Sequence, residues 1–294
     1  MKIGLCFPYT QPNMDRDTML EWFRRVDEEP FSSLSCGERM IGSSVEMTST
    51  LAAAAALTKR VRIVPTLYVL PMHPAVWVAK QAATLDLISG GRVTVTVGVG
   101  GRPHDYRCME RESDRPQARM AEQVAQMRRI WRGELPFEGT EAVGPMPVQK
   151  GGPPILAGVM RPGAIRRAAA WADGVYSWSG NGERAELALQ LESVRKAWDA
   201  EGRDAKPSHI AGFWYSLAPD AGTRLQEYAY KYLRIGGEET ARSIAKSLSR
   251  STPDAVRESL DHYEALGVEE CLLNSATAEL AEIDQLLEVI TKRG

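Results

Sequence analysis

The chain has 294 residues, of which 44% are hydrophobic and 25% charged, a composition typical of a folded globular protein and unlike that of a disordered or fibrous one. Its 36 lysines and arginines nearly balance its 38 aspartates and glutamates, and no basic stripe follows a predicted helix, so the sequence disfavours nucleic acid as a partner. Four cysteines and four histidines are scattered without metal-ligand spacing, so we predict neither a metal site nor a disulfide framework.

The first half of the chain alternates predicted strands with predicted helices. Short apolar or β-branched runs are typical of strands that are buried on both faces. The helices carry apolar side chains at three- and four-residue spacing, as in Met19, Trp22, Phe23 and Val26, which leaves one face to pack on a sheet. This pattern predicts strands at residues 2–7, 31–36, 62–70 and 93–99, and helices at residues 15–28, 45–57, 74–88 and 117–131.

The second half continues the alternation, with strands at residues 153–159, 174–177, 210–217 and 271–274. Helices are predicted at residues 163–171, 184–200 and 278–291, in two stretches between 217 and 252, and after the capping residue Thr252. Strict alternation requires parallel strands with right-handed crossovers, in a closed barrel or an open doubly wound sheet. Eight strands and the lack of a glycine-rich fingerprint after the first one favour the barrel. We predict one (β/α)8 TIM-barrel domain over residues 1–294.

Residues 136–154 interrupt the alternation between the fourth and fifth units. This segment is rich in glycine and proline and too long for an ordinary turn, which predicts a hairpin insertion or a lid. The longest apolar run, residues 51–57, is too short to cross a bilayer, and the chain opens on a predicted strand. We therefore expect a cytoplasmic protein with no membrane partner.

The predicted strand ends suggest where a ligand binds, since barrels of this kind bind ligands in the loops after the carboxyl ends of their strands. Those loops carry glycines, aromatic residues and few charges, which favours a flat organic ligand over a metal ion. Glycine clusters at 98–101 and 158–163 would let the backbone approach a phosphate, and the second precedes a helix start. The alternative is that these glycines only ease tight turns.

One segment carries a specific resemblance. Residues 81–100, with the sequence QAATLDLISGGRVTVTVGVG, are similar to the hallmark motif of luciferase-like monooxygenases and deazaflavin-dependent oxidoreductases. Further stretches match in order at residues 31–38, 66–74, 119–133, 168–174 and 252–267, so that nearly the whole chain is covered. The resemblance implies a luciferase-like TIM barrel with coenzyme F420 or FMN at its mouth.

The resemblance also implies roles for individual residues. In similar proteins a non-prolyl cis peptide lies against the cofactor ring, and Thr66-Leu67 is the matching pair. The cofactor phosphate and tail run towards the loops after the fourth and fifth strands, with Arg161 as the expected phosphate partner, unless it is only a solvated cation at a helix start. The implied cofactor-binding residues are Thr66, Leu67, Gly98, Gly100, Gly101, Gly158, Met160, Arg161, Gly163 and Ala164.

Two loops, after the second and fourth predicted strands, depart from the family pattern or add to it. Glu38-Arg39 replaces an Asp-His pair, so Arg39 is expected to orient an anionic substrate or stabilise a negatively charged reduced ring. The alternative for Glu38 is a structural salt bridge to another loop. His104 is the candidate proton shuttle, beside Asp105, and the alternative is a surface loop pair.

The expected substrate follows from the sixth and seventh strand ends. Trp178-Ser179-Gly180-Asn181 lacks the lysine that holds a sugar phosphate in one branch of the family, which disfavours that substrate. Trp178, Trp214 and Tyr215 instead predict an aromatic pocket for a more apolar organic molecule.

These observations predict an enzyme that transfers a hydride between coenzyme F420 and a small, fairly apolar organic substrate. The nearest alternative is an FMN-dependent monooxygenase that uses O₂, and an alternative of another class is a non-catalytic flavin-binding barrel. The expected partners are the small-molecule substrate, a separate reductase that supplies reduced cofactor, and a second copy of the chain in a homodimer through the apolar helix faces near Trp77 and Ala82.

Overall fold

The computed structural model describes residues 1–112 and 114–293. Within these residues nine parallel strands form one sheet in the order β3-β2-β1-β9-β8-β7-β6-β5-β4. The strands are β1 (Lys2–Cys6), β2 (Ser33–Cys36), β3 (Arg62–Pro65), β4 (Tyr68–Val69), β5 (Val95–Gly98), β6 (Ile155–Gly158), β7 (Gly174–Trp178), β8 (Ser208–Tyr215) and β9 (Glu270–Ser275).

The ring closes through the third predicted strand, which the structure divides in two. Its first part, β3, pairs with β2 and reaches β5 through a bridge between Ile63 and Val93, and its second part, β4, pairs with β5. The division falls at Pro65 and at the cis peptide bond between Thr66 and Leu67. Two strands of the nine therefore occupy one barrel position, and the predicted eightfold TIM barrel is confirmed.

Helices separate the strands and cover the outside of the barrel. In chain order they are α1 (Arg16–Glu28), α2 (Met47–Leu57), α3 (Ala75–Ser89), α4 (Pro103–Cys108), α5 (Pro116–Trp131), α6 (Pro162–Ala169), α7 (Arg184–Ala200), α8 (Ala221–Leu233), α9 (Glu238–Ser247), α10 (Pro253–Ala265) and α11 (Ala281–Thr291). Local chemistry sets several ends: the Asp15 carboxylate accepts from the Thr18 N–H at 2.8 Å to start α1, and Gly90 ends α3 with a φ of 67°. In the described part of the chain, none of these helices combines the length and apolar character that crossing a bilayer requires.

The glycine- and proline-rich segment 136–154 differs from its prediction. The structure shows no strand in these described residues, so the hairpin prediction is wrong. The side-chain amide of Gln149 donates to the Val93 carbonyl at 2.8 Å and its backbone N–H donates to Asp86 at 2.9 Å, which anchors the segment at the amino ends of the strands. The segment therefore packs at the end of the barrel away from the mouth and is not a lid over it.

The element that covers the mouth lies elsewhere, between β8 and α10. Here α8, a 3₁₀ turn at Arg234–Gly236 and α9 form the two predicted helical stretches. Tyr228, Tyr232 and Ile235 from this insertion reach the cavity at the carboxyl ends of the strands.

Candidate functional site

A cavity of about 480 Å³ lies at the carboxyl ends of the strands, and we call it the main cavity. Its size falls in the range of small-molecule sites, and most of its wall is apolar or aromatic. It is lined by Tyr9, Glu38, Thr66, Leu67, Val69, Met72, Gly100, Gly101, Arg102, Asp105, Tyr106, Gly158, Val159, Met160, Tyr176, Trp178, Trp214, Tyr228, Tyr232, Leu233, Ile235, Gly236 and Asn274.

Thr66 and Leu67 form part of the cavity floor, and the peptide bond that joins them is cis, as the resemblance implies. The Thr66 hydroxyl is buried and has no hydrogen-bond partner within the described residues. A buried hydroxyl without a partner is costly, so rotation of this side chain towards the cavity that it lines would offer the group to a polar atom of a bound ligand.

Several glycines of the predicted phosphate loops are required because side chains of the protein itself pack directly against their Cα atoms. A Cβ atom on Gly158 would lie 2.3 Å from Cδ2 of Leu67, and one on Gly98 would lie 2.7 Å from the same atom. At Gly100, where φ is 63°, a Cβ would lie 2.8 Å from Val69. Of these glycines, Gly98 is buried and does not line the cavity, so its requirement comes from the Leu67 side chain and not from direct ligand contact.

Other predicted cofactor residues lie at or beyond the rim. Gly101 and the exposed Met160 line the cavity. Arg161 is exposed and follows Met160 directly at the start of α6. Gly163 and Ala164 are half-buried in the first turn of the same helix, outside the cavity lining. The predicted phosphate residues therefore fall into two groups, Gly100 and Gly101 in the cavity wall and residues 160–164 at the N-terminus of α6 beside it.

A cluster of aromatic rings forms the opposite wall. The ring centroids of Trp178 and Trp214 are 5.2 Å apart, and that of Trp214 is 5.3 Å from Tyr232 and 6.0 Å from Tyr228. Tyr176 extends the cluster at 6.3 Å from Trp178. These edge-to-face contacts fix the rings against one another and give the cavity a rigid apolar side.

Sequence reasoning found the two tryptophans but missed Tyr228 and Tyr232. Both lie on α8, four residues apart, and so share one helix face. That spacing was the available signal, although nothing local shows that this face turns towards the barrel mouth.

Tyr215 does not line the cavity, which corrects its predicted role in substrate binding. It is fully buried, and its hydroxyl donates to the Glu282 carbonyl at 3.5 Å. Successive side chains of a strand point to opposite sides, so the inward Trp214 places Tyr215 outward against α11.

Glu38 lines the cavity, but its carboxylate is already engaged. One oxygen accepts from the Val69 N–H at 2.6 Å and the other lies 2.8 Å from Nε2 of His73. The side chain is only 4% exposed. Glu38 therefore hydrogen-bonds within the protein, and both of its partners belong to the segment that follows the cis peptide.

Arg39 lines a second cavity, which we call the Arg39 pocket. This pocket has a volume of about 550 Å³ and shares Tyr228 and Tyr232 with the main cavity. The Arg39 guanidinium lies 5.9 Å from the Tyr232 ring centroid, and its Nε is buried without a hydrogen-bond partner among the described residues. Burial, together with the nearby Arg102 guanidinium, lowers the pKa of Arg39.

The predicted proton shuttle is wrong for His104. This residue is exposed in the short helix α4, where a loop was expected, and it does not reach the cavity. The neighbouring Asp105 is buried, lines the cavity and accepts from the Ile41 N–H at 3.1 Å. Consecutive side chains of a helix point about 100° apart around its axis, which turns Asp105 inward and His104 outward.

The tyrosines of the main cavity are donors and not bases. Burial raises the pKa of Tyr9, Tyr176 and Tyr228 above the usual value for a phenol. Their hydroxyls therefore stay protonated at neutral pH, so they can donate a hydrogen bond or a proton to a ligand.

Metal-ligand geometry does not appear in the described residues, where no group of three or more His, Cys, Asp or Glu side chains converges. The four cysteines are free, and only Cys108 is exposed.

Comparison with known proteins relates the chain to one family over all but its last strand and helix. A sequence model described as luciferase-like monooxygenase matches residues 1–270. Among curated relatives, the FMNH(2)-dependent dimethylsulfone monooxygenase of Pseudomonas putida is 27% identical over 226 residues, which are 72% of this chain and 55% of that enzyme. The matched region also spans only 59% of an uncharacterised protein of Mycobacterium tuberculosis.

Solved structures match over their full length. Monooxygenase RslO1 from Streptomyces bottropensis is 25% identical, with a TM-score of 0.78 and coverage of 100% of both chains. An F420-dependent secondary alcohol dehydrogenase, solved with an F420–acetone adduct, has the same TM-score at 19% identity and 99% coverage of both chains, which shows a shared fold.

Proposed function

Since the chain belongs to the luciferase-like monooxygenase family, we propose that it transfers a hydride between coenzyme F420 and a small, fairly apolar organic substrate in the main cavity. The observation that carries the proposal is the floor of this cavity. There Thr66 carries a buried hydroxyl without a partner among the described residues, at the floor of a largely aromatic chamber of about 480 Å³. Such a chamber suits a planar heterocycle with a few polar edge atoms.

The residues present fit a flavin-type ring and its tail. Thr66 and Leu67 would contact the ring, and the Thr66 hydroxyl would hydrogen-bond to one of its polar atoms. Met160 and Arg161, at the start of α6, would hold the phosphate side, because free N–H groups and the helix dipole favour an anion there. When bound, the ring would supply two-electron redox chemistry that no side chain of the protein can supply.

The apolar wall would select the substrate and exclude water. Trp178, Trp214 and Tyr228 offer flat surfaces for an organic body, which favours apolar molecules over sugars. Tyr9 and Tyr176 keep their protons at neutral pH, so they would donate to a substrate oxygen or nitrogen that gains charge. Glu38 would act as a positioning residue, since both of its oxygens already hold the floor segment.

The direct test is a binding titration with F420 and with FMN, followed by absorption and mass analysis of any cofactor that co-purifies. We expect F420 to bind and Arg161→Ala to weaken it about tenfold, the usual scale for losing one charge-assisted hydrogen bond. Arg195→Ala, which removes an exposed cation of α7, is the matched control. Unchanged affinity in Arg161→Ala would remove this arginine from the cofactor site, and failure to bind either cofactor would refute the proposal.

A second candidate is a monooxygenase that uses reduced FMN and O₂. It is favoured by the names of RslO1 and of the dimethylsulfone enzyme, both monooxygenases. Oxygen uptake with reduced FMN, above the rate of the free cofactor and dependent on an added substrate, would select this function over the deazaflavin one. A protein that binds a cofactor but shows neither oxygen uptake with reduced FMN nor hydride transfer with F420 would instead be a non-catalytic barrel.

We also propose a homodimer through the outer face of α3, where Trp77 and Ile88, about three turns apart, leave 53% and 43% of their surface exposed; Ala82, expected near this face, is buried and cannot contribute. Exposed apolar patches of this kind mark association surfaces. Light scattering would show twice the chain mass, and Trp77→Glu would shift it to that of a monomer.

A further inference from the structure

The Arg39 pocket lies beside the main cavity, on the side away from the proposed phosphate site. It is bordered by the loops after β1, β2 and β9 and by α8. In the barrel, β1 is three positions from β5, which precedes Gly101, and four from β6, which precedes Met160. A ligand that enters the main cavity can therefore extend in two opposite directions.

Three cationic side chains line this pocket, and two of them are already paired. Arg224 forms an ion pair with Glu279, and Lys231 lies 3.7 Å from Glu227. Arg39 forms no ion pair with any described residue. The charges of the other two are thus locally balanced, and the net positive charge of the pocket comes from Arg39.

The surroundings of Arg39 compensate its charge only in part: Asp105 lies near enough to favour the charge without forming an ion pair, but burial and Arg102 outweigh it and lower the pKa of Arg39. Its side chain is half-buried, its Nε has no partner within the described residues, and Arg102 brings a second positive charge to within 4.7 Å of the Tyr232 ring centroid. A partly buried guanidinium normally has a carboxylate or several carbonyl oxygens to satisfy it. An oxyanion would satisfy both the charge and the open donors, with the bidentate geometry that arginine favours.

We propose that the Arg39 pocket binds the oxyanion of an amphipathic substrate, an organic acid whose apolar body lies in the main cavity. Tyr228 and Tyr232 line both spaces and would contact the chain that links the two ends of the ligand. The assignment of this molecule as a substrate rests on the proposed redox function, whereas the preference of the pocket for an acid does not.

The test uses matched acids and alcohols: phenylacetate, phenylbutyrate and phenylhexanoate, each beside the alcohol of the same length. Binding to the full chain is followed by quenching of tryptophan fluorescence, because Trp178 and Trp214 line the main cavity. We expect at least one acid to bind about ten times more tightly than its alcohol, as a charge-assisted hydrogen bond provides. Raising the salt concentration should weaken binding of the acid and leave the affinity for the alcohol unchanged.

Three variants distinguish a specific effect of Arg39 on acid binding from a general effect of positive charge. Arg39→Gln should abolish the preference for the acid, and Arg39→Lys should retain part of it, because lysine keeps the charge and loses the bidentate fork. Arg166→Gln, which removes an exposed cation of α6 outside both cavities, should bind the acids like the unaltered protein. Far-ultraviolet circular dichroism checks that each variant is folded.

The proposal is overturned if the alcohols bind as tightly as the acids at every length, if no acid binds, or if Arg39→Gln keeps the full preference. Cofactor binding is measured on the same samples. A protein that prefers acids but binds neither F420 nor FMN would refute the redox function and leave the oxyanion pocket intact. A protein that binds a cofactor but shows no acid preference would refute the oxyanion pocket and leave the redox function intact.

Discussion

Adding one methyl group at Gly158 tests how the floor of the main cavity is built. The new Cβ would lie 2.3 Å from Cδ2 of Leu67, whereas carbon atoms in favourable contact lie about 3.5–4.0 Å apart. Leu67 would have to move by more than about 1 Å. A Cβ on Gly98, in the neighbouring strand, would lie 2.7 Å from the same Leu67 atom. The Leu67 side chain can therefore move away from Gly158 only towards the cavity.

The magnitude follows from this geometry. Extra methyl groups in packed regions cost about 1–3 kcal/mol, and Leu67 is half-buried and able to yield, so we expect Gly158→Ala to lower the free energy of unfolding by about 1 kcal/mol. The larger effect should be on ligand binding, because the displaced side chain would occupy space that a cofactor ring needs. We expect at least about tenfold weaker cofactor binding, which corresponds to about 1.4 kcal/mol.

Urea unfolding and cofactor titration measure the two effects. Gly222→Ala is the control for stability: its Cβ would meet nothing closer than Ser251 at 3.6 Å, and in the first turn of α8 an alanine should be neutral or stabilising by up to about 1 kcal/mol. In a Leu67→Ala background, Gly158→Ala should cost nothing further. The reasoning fails if Gly158→Ala binds cofactor normally, or if its cost is the same with and without the Leu67 side chain.

The remaining predictions concern the site and its support. Glu38→Ala should lower the free energy of unfolding by about 1–3 kcal/mol, because it leaves a buried N–H and the imidazole of His73 without their acceptor, and Glu38→Gln should recover part of the loss in urea unfolding. Trp178→Ala should weaken phenylbutanol binding about tenfold through lost apolar contact, while Tyr215→Phe, outside the cavity, should leave the dissociation constant unchanged. Burial lowers the pKa of His209 from 6.5 to about 4, so the folded state keeps this side chain neutral while the unfolded chain takes up a proton below pH 6.5. The free energy of unfolding should therefore fall by about 2 kcal/mol between pH 7 and pH 5, and His209→Gln should lack that part of the decrease in urea unfolding measured at the two pH values.

Much of the barrel was predictable because its signals are local. The apolar spacing of α1, the Thr252 cap of α10 and the β-branched run before Gly98 each specify an element from residues that are neighbours in sequence. Strict alternation then leaves few topologies. The division of the third strand at Pro65 and the position of segment 136–154 depend on partners more than 20 residues away, and both differed from the prediction in detail.

The site was predicted less completely, and each error has a geometric cause. Trp214 and Tyr215 are adjacent, yet the alternation of a strand sends one into the cavity and the other into the core. His104 and Asp105 are also adjacent, and the rotation of about 100° per residue in α4 exposes the first and buries the second. A strand-end position identifies the neighbourhood of a site, but the direction of each side chain depends on a register that only the assembled sheet fixes.

The amino-acid sequence by itself determined the barrel, the family motif of residues 81–100 and the glycines that a close-packed floor requires, because these follow from short-range periodicity and backbone freedom. Only the tertiary structure decided that α8 covers the mouth, that Tyr228 and Tyr232 divide it into two cavities, and that Arg39 faces the polar one without a carboxylate partner among the described residues. The reason is physical: contacts between elements far apart in the chain are set by the closure of the ring, which brings the loops after β1, β2, β8 and β9 to one place.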